Sequence, residues 1–263
     1  MVEEIYMDFA KDFVKQAGII AKKYFLQDTT QWKKDQTPVT EADLAINTLL
    51  IKTVNTLFPG HRVIGEEEST TNESDYCRVC DPIDWTIPYS HGVPVSSVCL
   101  SLLYKWESML WIIYDPFLDR MFWSDGLHAY MNDELIHVNS ETDPNKMMIA
   151  IECFPRAAYD FTALQAELIK MNIKVVQFAS IAYPTALVAA WMFTATIHPA
   201  NPIWEFAAAK PIVTCAGGKV TDLMGKPQNY LGEIHWHISS NGAVHDFLVD
   251  LIAKTVDLTH PRS

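Results

Sequence analysis

The alternation of polar and apolar positions divides the chain into elements before any chemistry is considered. From Glu3 to Leu26, residues Ile5, Phe9, Phe13, Ala17, Ile20, Ala21 and Tyr24 recur at helical spacing on one face, which predicts an amphipathic helix. The polar, aromatic stretch TTQWKKDQTP reads as a loop. A second helix follows from Thr40 to Leu57, with Ala42, Ile46, Leu49, Leu50 and Val54 on its apolar side. HRVIGEEE and YCRVCDPID read as short strands that run into acidic residues. From Val93 to Ser124, apolar and β-branched runs broken by charged or proline-bearing turns predict antiparallel strands, with more strands at Asn132–Val138 and Met147–Glu152. The rhythm then changes to helix near Arg156–Met171, strand at Ile173–Phe178, helix at Thr185–Phe193, strand near Thr194–His198 and helix at Trp204–Cys215. Strands at Lys219–Thr221 and His235–Ile238 and a helix from Ala243 to Val256 complete the pattern. No repeat or low-complexity linker interrupts it. The reading is one unit, 1–263, of layered sheets and helices, with lobes at 1–150 and 151–263.

Composition narrows the class. With 49% hydrophobic and 20% charged residues the 263-residue chain is globular and long enough for a sizeable core. A formal net charge of -12 argues against nucleic acid and anionic membrane as main partners, since both demand clustered Lys and Arg. It leaves room for a phosphorylated substrate if a bound metal brings the positive charge. Five cysteines, an odd number in a chain this long, suit a reducing compartment, and Cys77 and Cys80 read as strand residues near the core. MVEEIYMDFAKDF lacks the basic and apolar regions of a secretory signal, and no stretch approaches a membrane span, so the expected location is cytoplasmic.

Three acidic groups stand where elements meet: Glu66, Glu67 and Glu68 after Gly65; Asp81 and Asp84 after a strand; and Glu205 at a helix start. Carboxylates at strand ends can hold hard divalent cations such as Mg²⁺, which takes oxygen ligands and keeps substrate phosphates in its shell. Pro82 stiffens the turn, the Ile83 carbonyl is placed to coordinate, and the Thr86 hydroxyl can orient water. Each has a blander reading. A glutamate triplet is commonly a solvated loop, Asp-Pro is turn chemistry, Thr40 and Asp43 have capping-box spacing, and Glu205 suits a helix dipole. His235 and His237 read as ordinary strand residues, and the aromatics at 104, 106, 111, 114, 122 and 123 as core or interface.

Taken together, VTEAD, VIGEEE, DPIDWT and WEFAAAKPIVTCAGGKVTDLMG resemble the inositol monophosphatase family, whose motifs are VT-x-x-D, GEE, DPIDGT and WD-x-A with AGG downstream. HGVP, YDPFLDRMFWSDG, MNDELIHVN and ISSN extend the resemblance from about Lys34 to Asn241. It implies an α/β fold, the αβαβα five-layered sandwich of the inositol monophosphatase and fructose-1,6-bisphosphatase type. It also implies a homodimer and a lithium-sensitive, Mg²⁺-dependent phosphatase with two to three ions per site. By position, Glu66, Asp81 and the Ile83 carbonyl resemble the ligands of a first metal. Asp81, Asp84 and Glu205 resemble those of a second, and Glu66 reaches a third through water. Asp43, Glu66 and Thr86 resemble the catalytic groups that orient the attacking water, while Asp84, Trp85, Thr86 and Cys215 fall at substrate-binding positions. Glu67 and Glu68 take no role and read as solvated acids. Of two neighbouring lysines, Lys34 is the nearer to a basic family position and Lys33 competes for it.

The sequence departs from the family at telling places. Trp85 stands where the family has glycine, so it must either take a strained conformation or change the loop, and its ring is expected to line or roof the phosphate pocket. Ile87 and Pro88 replace polar residues of the same turn. Glu205 replaces an aspartate and moves the carboxylate outward by roughly 1.5 Å, which predicts a weaker second metal site. Cys215 replaces a substrate-contacting glutamate, and ATIHPANPIWE lacks the usual glycine-rich, acidic segment. The expected function is hydrolysis of an inositol, sugar or polyol phosphate or a nucleotide 3′-phosphate. The alternative is an impaired member acting as a binding or scaffolding dimer, for which Trp85 and Glu205 argue.

Overall fold

The structure, a computed structural model, describes residues 4–27, 30–34, 36–154, 157–198, 210–227 and 236–260. Helices α1 (Glu4–Tyr24) and α2 (Glu41–Leu57) form the first layer, separated by a short ribbon of β1 (Gln31–Trp32) and β2 (Pro38–Val39). Both helices lay their apolar stripes on a seven-stranded sheet of β3 (Arg62–Gly65), β4 (Tyr76–Asp84), β5 (Ser97–Tyr104), β6 (Glu107–Asp115), β7 (Arg120–Ser124), β8 (Ala129–Met131) and β9 (Glu134–Ile136). The sheet follows chain order; β3 and β4 run parallel and every later pair antiparallel. Gly18 allows α1 to sit close on β6, since a Cβ there would lie 2.6 Å from the Tyr114 ring.

The other face of this sheet meets α5 (Ala182–Ala189) and the helical residues 210–215 around Trp85, Trp111, Phe122, Tyr183 and Ile212. All eight residues of α5 are buried, as a middle layer requires. Beyond it lies a five-stranded sheet in the order β11 (Lys174–Val176), β10 (Met148–Ile151), β12 (Ala195–His198), β14 (His237–Ser240), β13 (Lys219–Thr221). Its far face is covered by α4 (Thr162–Lys170) and α6 (His245–Thr255) through Phe161, Leu164, Leu168, Leu248 and Ile252. The five alternating layers expected from the sequence are therefore present. A five-residue helix, α3 (Thr86–Ser90), follows β4 and is tied to α1 by the Tyr89 hydroxyl, which donates to the Ala21 carbonyl at 2.6 Å.

Several boundaries differ from expectation. The helix expected from Arg156 begins at Thr162, where the Asp160 carboxylate accepts the Thr162 N–H at 2.9 Å and closes the first turn. The single strand expected at Asn132–Val138 is instead the turn and second strand of the β8–β9 hairpin, with Asn132 and Asp133 both at positive φ in the turn. The last strand runs from His237 to Ser240, shifted towards the C-terminus. Cys77 and Cys80 are buried, free and part of β4, as read from the sequence. Trp204, Glu205 and His235 lie outside the described residues. Among the described residues no helix is long and apolar enough to cross a membrane.

Candidate active site

The acidic motifs meet where β3 and β4 end. Gly65 pairs with Cys80, and the Glu66 N–H donates to the Cys80 carbonyl at 3.1 Å, so Glu66 emerges beside Asp81. Gly65 is required here, since a Cβ would come within 2.0 Å of the Asn47 side-chain oxygen and 2.7 Å of the Glu68 carbonyl. β4 then bulges. Asp81 faces Cys99 and Asp84 faces Ser97, so three steps along β4 oppose two along β5. In a regular strand, residues three apart point to opposite faces. The extra residue at Pro82–Ile83, where proline offers no N–H to the ladder, puts both aspartates on the face of Ser97 and Cys99.

Asp43 reaches the same region from the first turn of α2. Its Oδ2 accepts the Thr40 N–H at 2.8 Å and the Thr40 hydroxyl at 2.6 Å, which is the capping-box reading of the sequence. Its Oδ1 is buried and has no hydrogen-bond partner among the described residues. Burial pushes the Asp43 carboxyl up to about 7; the Thr40 bonds oppose this, and the charges of Glu66 and Glu67 add to it. An orphaned carboxylate oxygen held among other carboxylates is a place for a cation.

Lys33, and not the exposed Lys34, is the lysine that reaches the acidic residues. Its Nζ lies 3.1 Å from Glu66 Oε1 and 2.7 Å from Glu67 Oε1. Burial tends to lower the Lys33 ammonium, but the hydrogen bond to Glu67 and the charges of both glutamates outweigh it and raise it. Glu67 is consequently not a solvated acid: its side chain is 7% exposed and ion-paired. Glu68 is exposed as expected, and its carbonyl accepts from Asn47 at 3.0 Å.

Asp84 ends β4 and is buried against the first turn of α5. Its Oδ2 accepts from the Ser180 hydroxyl at 2.6 Å, the Ser97 hydroxyl at 2.9 Å and the Tyr183 N–H at 3.2 Å. Burial raises its carboxyl, these three bonds counter the rise, and the charge of Glu66 adds to it. Among the described residues no three His, Cys, Asp or Glu side chains close up as a ready-made metal cluster. The expected convergence of Glu66, Asp81 and Asp84 on one point is thus loosened, because Glu66 is drawn to Lys33 and one Asp84 oxygen to the two serines. Glu66 nevertheless acts on Asp43, Cys80 and Asp84, so the carboxylates share one field. An all-oxygen donor set in which the charge of Glu66 raises the Asp43 and Asp84 carboxyls suits a hard divalent cation.

Thr86 donates its hydroxyl hydrogen to the Ile83 carbonyl at 3.0 Å, closing the turn that follows the bulge. Trp85 takes the strained option: φ is 87° and ψ 39°, the left-handed conformation suited to glycine. Its ring turns into the protein. It is 4% exposed and stacks on Phe178 with centroids 4.8 Å apart, tilted against Tyr183 at 5.6 Å. The expectation of a pocket-lining indole is corrected on that ground. The half-buried thiol of Cys215 is raised by burial, with Ser124 and Asp125 as the groups acting on it. His237 is buried in β14 with Ser239 as a hydrogen-bond partner, as an ordinary strand residue would be.

Sequence reading passed over Glu152, Ser97 and Ser180. Glu152 ends the apolar run MMIAIE just as Glu66 ends VIGE and Asp81 ends VC, and that parallel is the signal that could have marked it. The serines carried none, being common residues in unremarkable loops or strands.

Comparison with known proteins follows the same lines. The sequence model described as the inositol monophosphatase family matches residues 3–257. A fructose-1,6-bisphosphatase/inositol-1-monophosphatase of Thermotoga maritima is 28% identical over 225 residues, covering 83% of this chain and 84% of that one. A histidinol-phosphatase of Chlorobaculum parvum is 26% identical over 252 residues, covering 94% and 96%. Among solved structures, a Thermotoga maritima IMPase superposes with a TM-score of 0.86 at 26% identity, covering 95% and 97% of the two chains.

Proposed function

Because the chain belongs to the inositol monophosphatase family, whose members are phosphoric monoester hydrolases, we propose that it hydrolyses a small phosphate monoester with Mg²⁺ as cofactor. The observation that carries the reading is the buried, unpartnered Asp43 Oδ1 in the field of Glu66 and Glu67. Glu66, Asp81, Asp84 and the Ile83 carbonyl, with Glu205, would hold the metal. When bound, Mg²⁺ supplies the positive charge that activates water and balances the phosphate.

The remaining roles fall to groups of the chain. With its hydrogen given to Ile83, Thr86 Oγ1 turns lone pairs outward and accepts from the attacking water. Asp43 Oδ1, on a carboxyl raised to about 7, is matched to taking a proton near neutral pH. The backbone at Trp85 and Thr86 and the Asp84 carboxylate meet the phosphate, and Cys215 borders the alcohol half. A thiol there disfavours polyols that need a carboxylate acceptor, so sugar phosphates and nucleotide 3′-phosphates rank with inositol phosphate as substrates. The working form is a cytoplasmic homodimer.

The test is turnover of a generic phosphomonoester such as p-nitrophenyl phosphate with Mg²⁺ and with EDTA. Mg²⁺-dependent release of phosphate is expected, lowered roughly 100-fold or more by Asp81→Asn. A well-folded protein silent on a broad panel of esters would favour the binding-dimer reading.

A further inference from the structure

Glu152 lies outside every acidic motif that marked the site, yet it is 2% exposed and made to accept. It follows β10 directly, and its own N–H donates to the Ile197 carbonyl of β12 at 3.1 Å, which fixes its backbone between two parallel strands. One carboxylate oxygen accepts the Phe178 N–H at 2.7 Å, and the other accepts the Ala179 N–H at 2.6 Å. The Ser180 N–H also acts on it. Three successive backbone donors are thus gathered on one carboxylate, as in an anion-binding nest turned to structural use. The turn they form is strained: Ala179 has φ 61°, a conformation an alanine adopts only when its surroundings impose it.

This turn delivers two groups to the site. Ser180 donates its hydroxyl to Asp84 Oδ2 at 2.6 Å and supports the Tyr183 N–H that binds the same oxygen. Phe178 stacks on Trp85, the residue after Asp84, and on Phe193 at 5.6 Å. Glu152 makes no hydrogen bond to Asp84; the two carboxyls feel each other's charge, and the contact between them runs through the turn. We infer that Glu152 is a positioning residue: by holding the 178–180 turn it sets the Ser180 hydroxyl that fixes which oxygen of Asp84 is turned into the protein and which is left to face a ligand.

The inference rests on the phosphatase reading for its consequence, but its geometry can be tested without turnover. Five proteins serve: wild type, Glu152→Gln, Glu152→Asp, Ser180→Ala and the Glu152→Gln/Ser180→Ala double variant. Glu152→Gln keeps size but offers an amide N–H₂ to a backbone N–H, so the turn loosens. Ser180→Ala removes only the hydroxyl and leaves the Glu152 bonds to the turn in place, so it carries the test if Glu152→Gln is unstable. Mg²⁺ affinity by calorimetry should fall about tenfold in Glu152→Gln and in Ser180→Ala. The double variant should be no worse than the worse single, because both act through the same contact. With p-nitrophenyl phosphate the same pattern is expected in kcat, with KM within twofold, and Glu152→Asp should recover part of the loss. If Glu152→Gln lowers the unfolding midpoint while Mg²⁺ affinity and kcat stay at wild type, Glu152 is merely structural and the inference falls. Losses that multiply in the double variant overturn it equally. A wild type that binds Mg²⁺, is weakened by Glu152→Gln and hydrolyses no ester would keep this inference and remove the phosphatase one.

Discussion

Trp85 sets opposing energies against each other within one residue. The left-handed conformation costs a non-glycine residue roughly 1–2 kcal/mol, and the indole Nε1 is buried with no hydrogen-bond partner among the described residues, a further cost of about 1 kcal/mol. Against this, truncating a buried tryptophan costs about 3–5 kcal/mol, and this ring is stacked on Phe178 and packed on Tyr183. The packing wins. Trp85→Gly is therefore expected to lower stability by about 1 kcal/mol or more in urea unfolding, with turnover per folded molecule little changed because the ring is buried against Phe178 and Tyr183. A variant more stable than wild type would show that strain dominates. A large rise in turnover at unchanged stability would restore the indole as a barrier to phosphate. Lys33 teaches the same lesson: two adjacent lysines are equivalent in sequence, and only the reach of the chain from the β1–β2 ribbon decides which one meets Glu66 and Glu67.

At the scale of elements, β4 carries both the clearest and the least legible residues. Its DPID end was readable as a strand terminus where proline stiffens a turn carrying two acids, and the structure makes that turn a bulge within β4. Its middle was not. Arg78 sits in an alternating run, YCRVC, where a charged residue ordinarily faces solvent, yet it is fully buried beneath α1 and α2. Its guanidinium carbon lies 4.3 Å from the Phe9 and Phe58 rings and 5.6 Å from Tyr6, and its nitrogens have no hydrogen-bond partner among the described residues. Burial lowers its pKa to about 9. What decides its fate is the second layer: two helices cover this face of the sheet, which is a tertiary fact that strand periodicity cannot carry. Glu152 escaped notice for a related reason, since its partners come from a turn 26 and 27 residues away. A desolvated cation–π contact contributes about 2 kcal/mol, less than the several kcal/mol that an unpaired buried charge costs. Arg78→Met should accordingly stabilise the protein by about 1–4 kcal/mol, read as a higher midpoint in thermal or urea unfolding. A lower midpoint would show that the aromatic cage outweighs the desolvation.

Across the whole molecule, two populations of buried titratable groups pull stability in opposite directions with pH. His61 and His245 are lowered by burial to about 4 and His237 to about 3, while burial holds His198 well below its usual value. A histidine kept neutral in the fold binds its proton only in the unfolded chain, so stability is lost as pH falls from about 6.5 towards 4. The carboxyls run the other way. Asp43 and Glu152 are raised by burial to about 7, and Asp84 is raised as well. A carboxyl that keeps its proton in the fold but not in the unfolded chain contributes stability that is fully present below about pH 4 and disappears as pH rises through about 7. Between about pH 4.5 and 6.5 the two slopes oppose each other. Above 6.5 the histidine effect is complete and no longer varies, and only the carboxyl loss changes with pH, reinforced by self-repulsion in a chain of net charge -12. In EDTA the melting midpoint should therefore change little from pH 4.5 to 6.5 and then drop between 6.5 and 8. Saturating Mg²⁺ should recover most of the drop at pH 8 and have little effect at pH 5, because the cation binds the ionised carboxylates that protons otherwise occupy. Melting curves at four pH values, each with and without Mg²⁺, test both halves. A metal-free midpoint that climbs through pH 6.5–8 would mean that Asp43 and Glu152 are already ionised in the fold. An equal Mg²⁺ effect at pH 5 and pH 8 would place the cation away from these carboxylates.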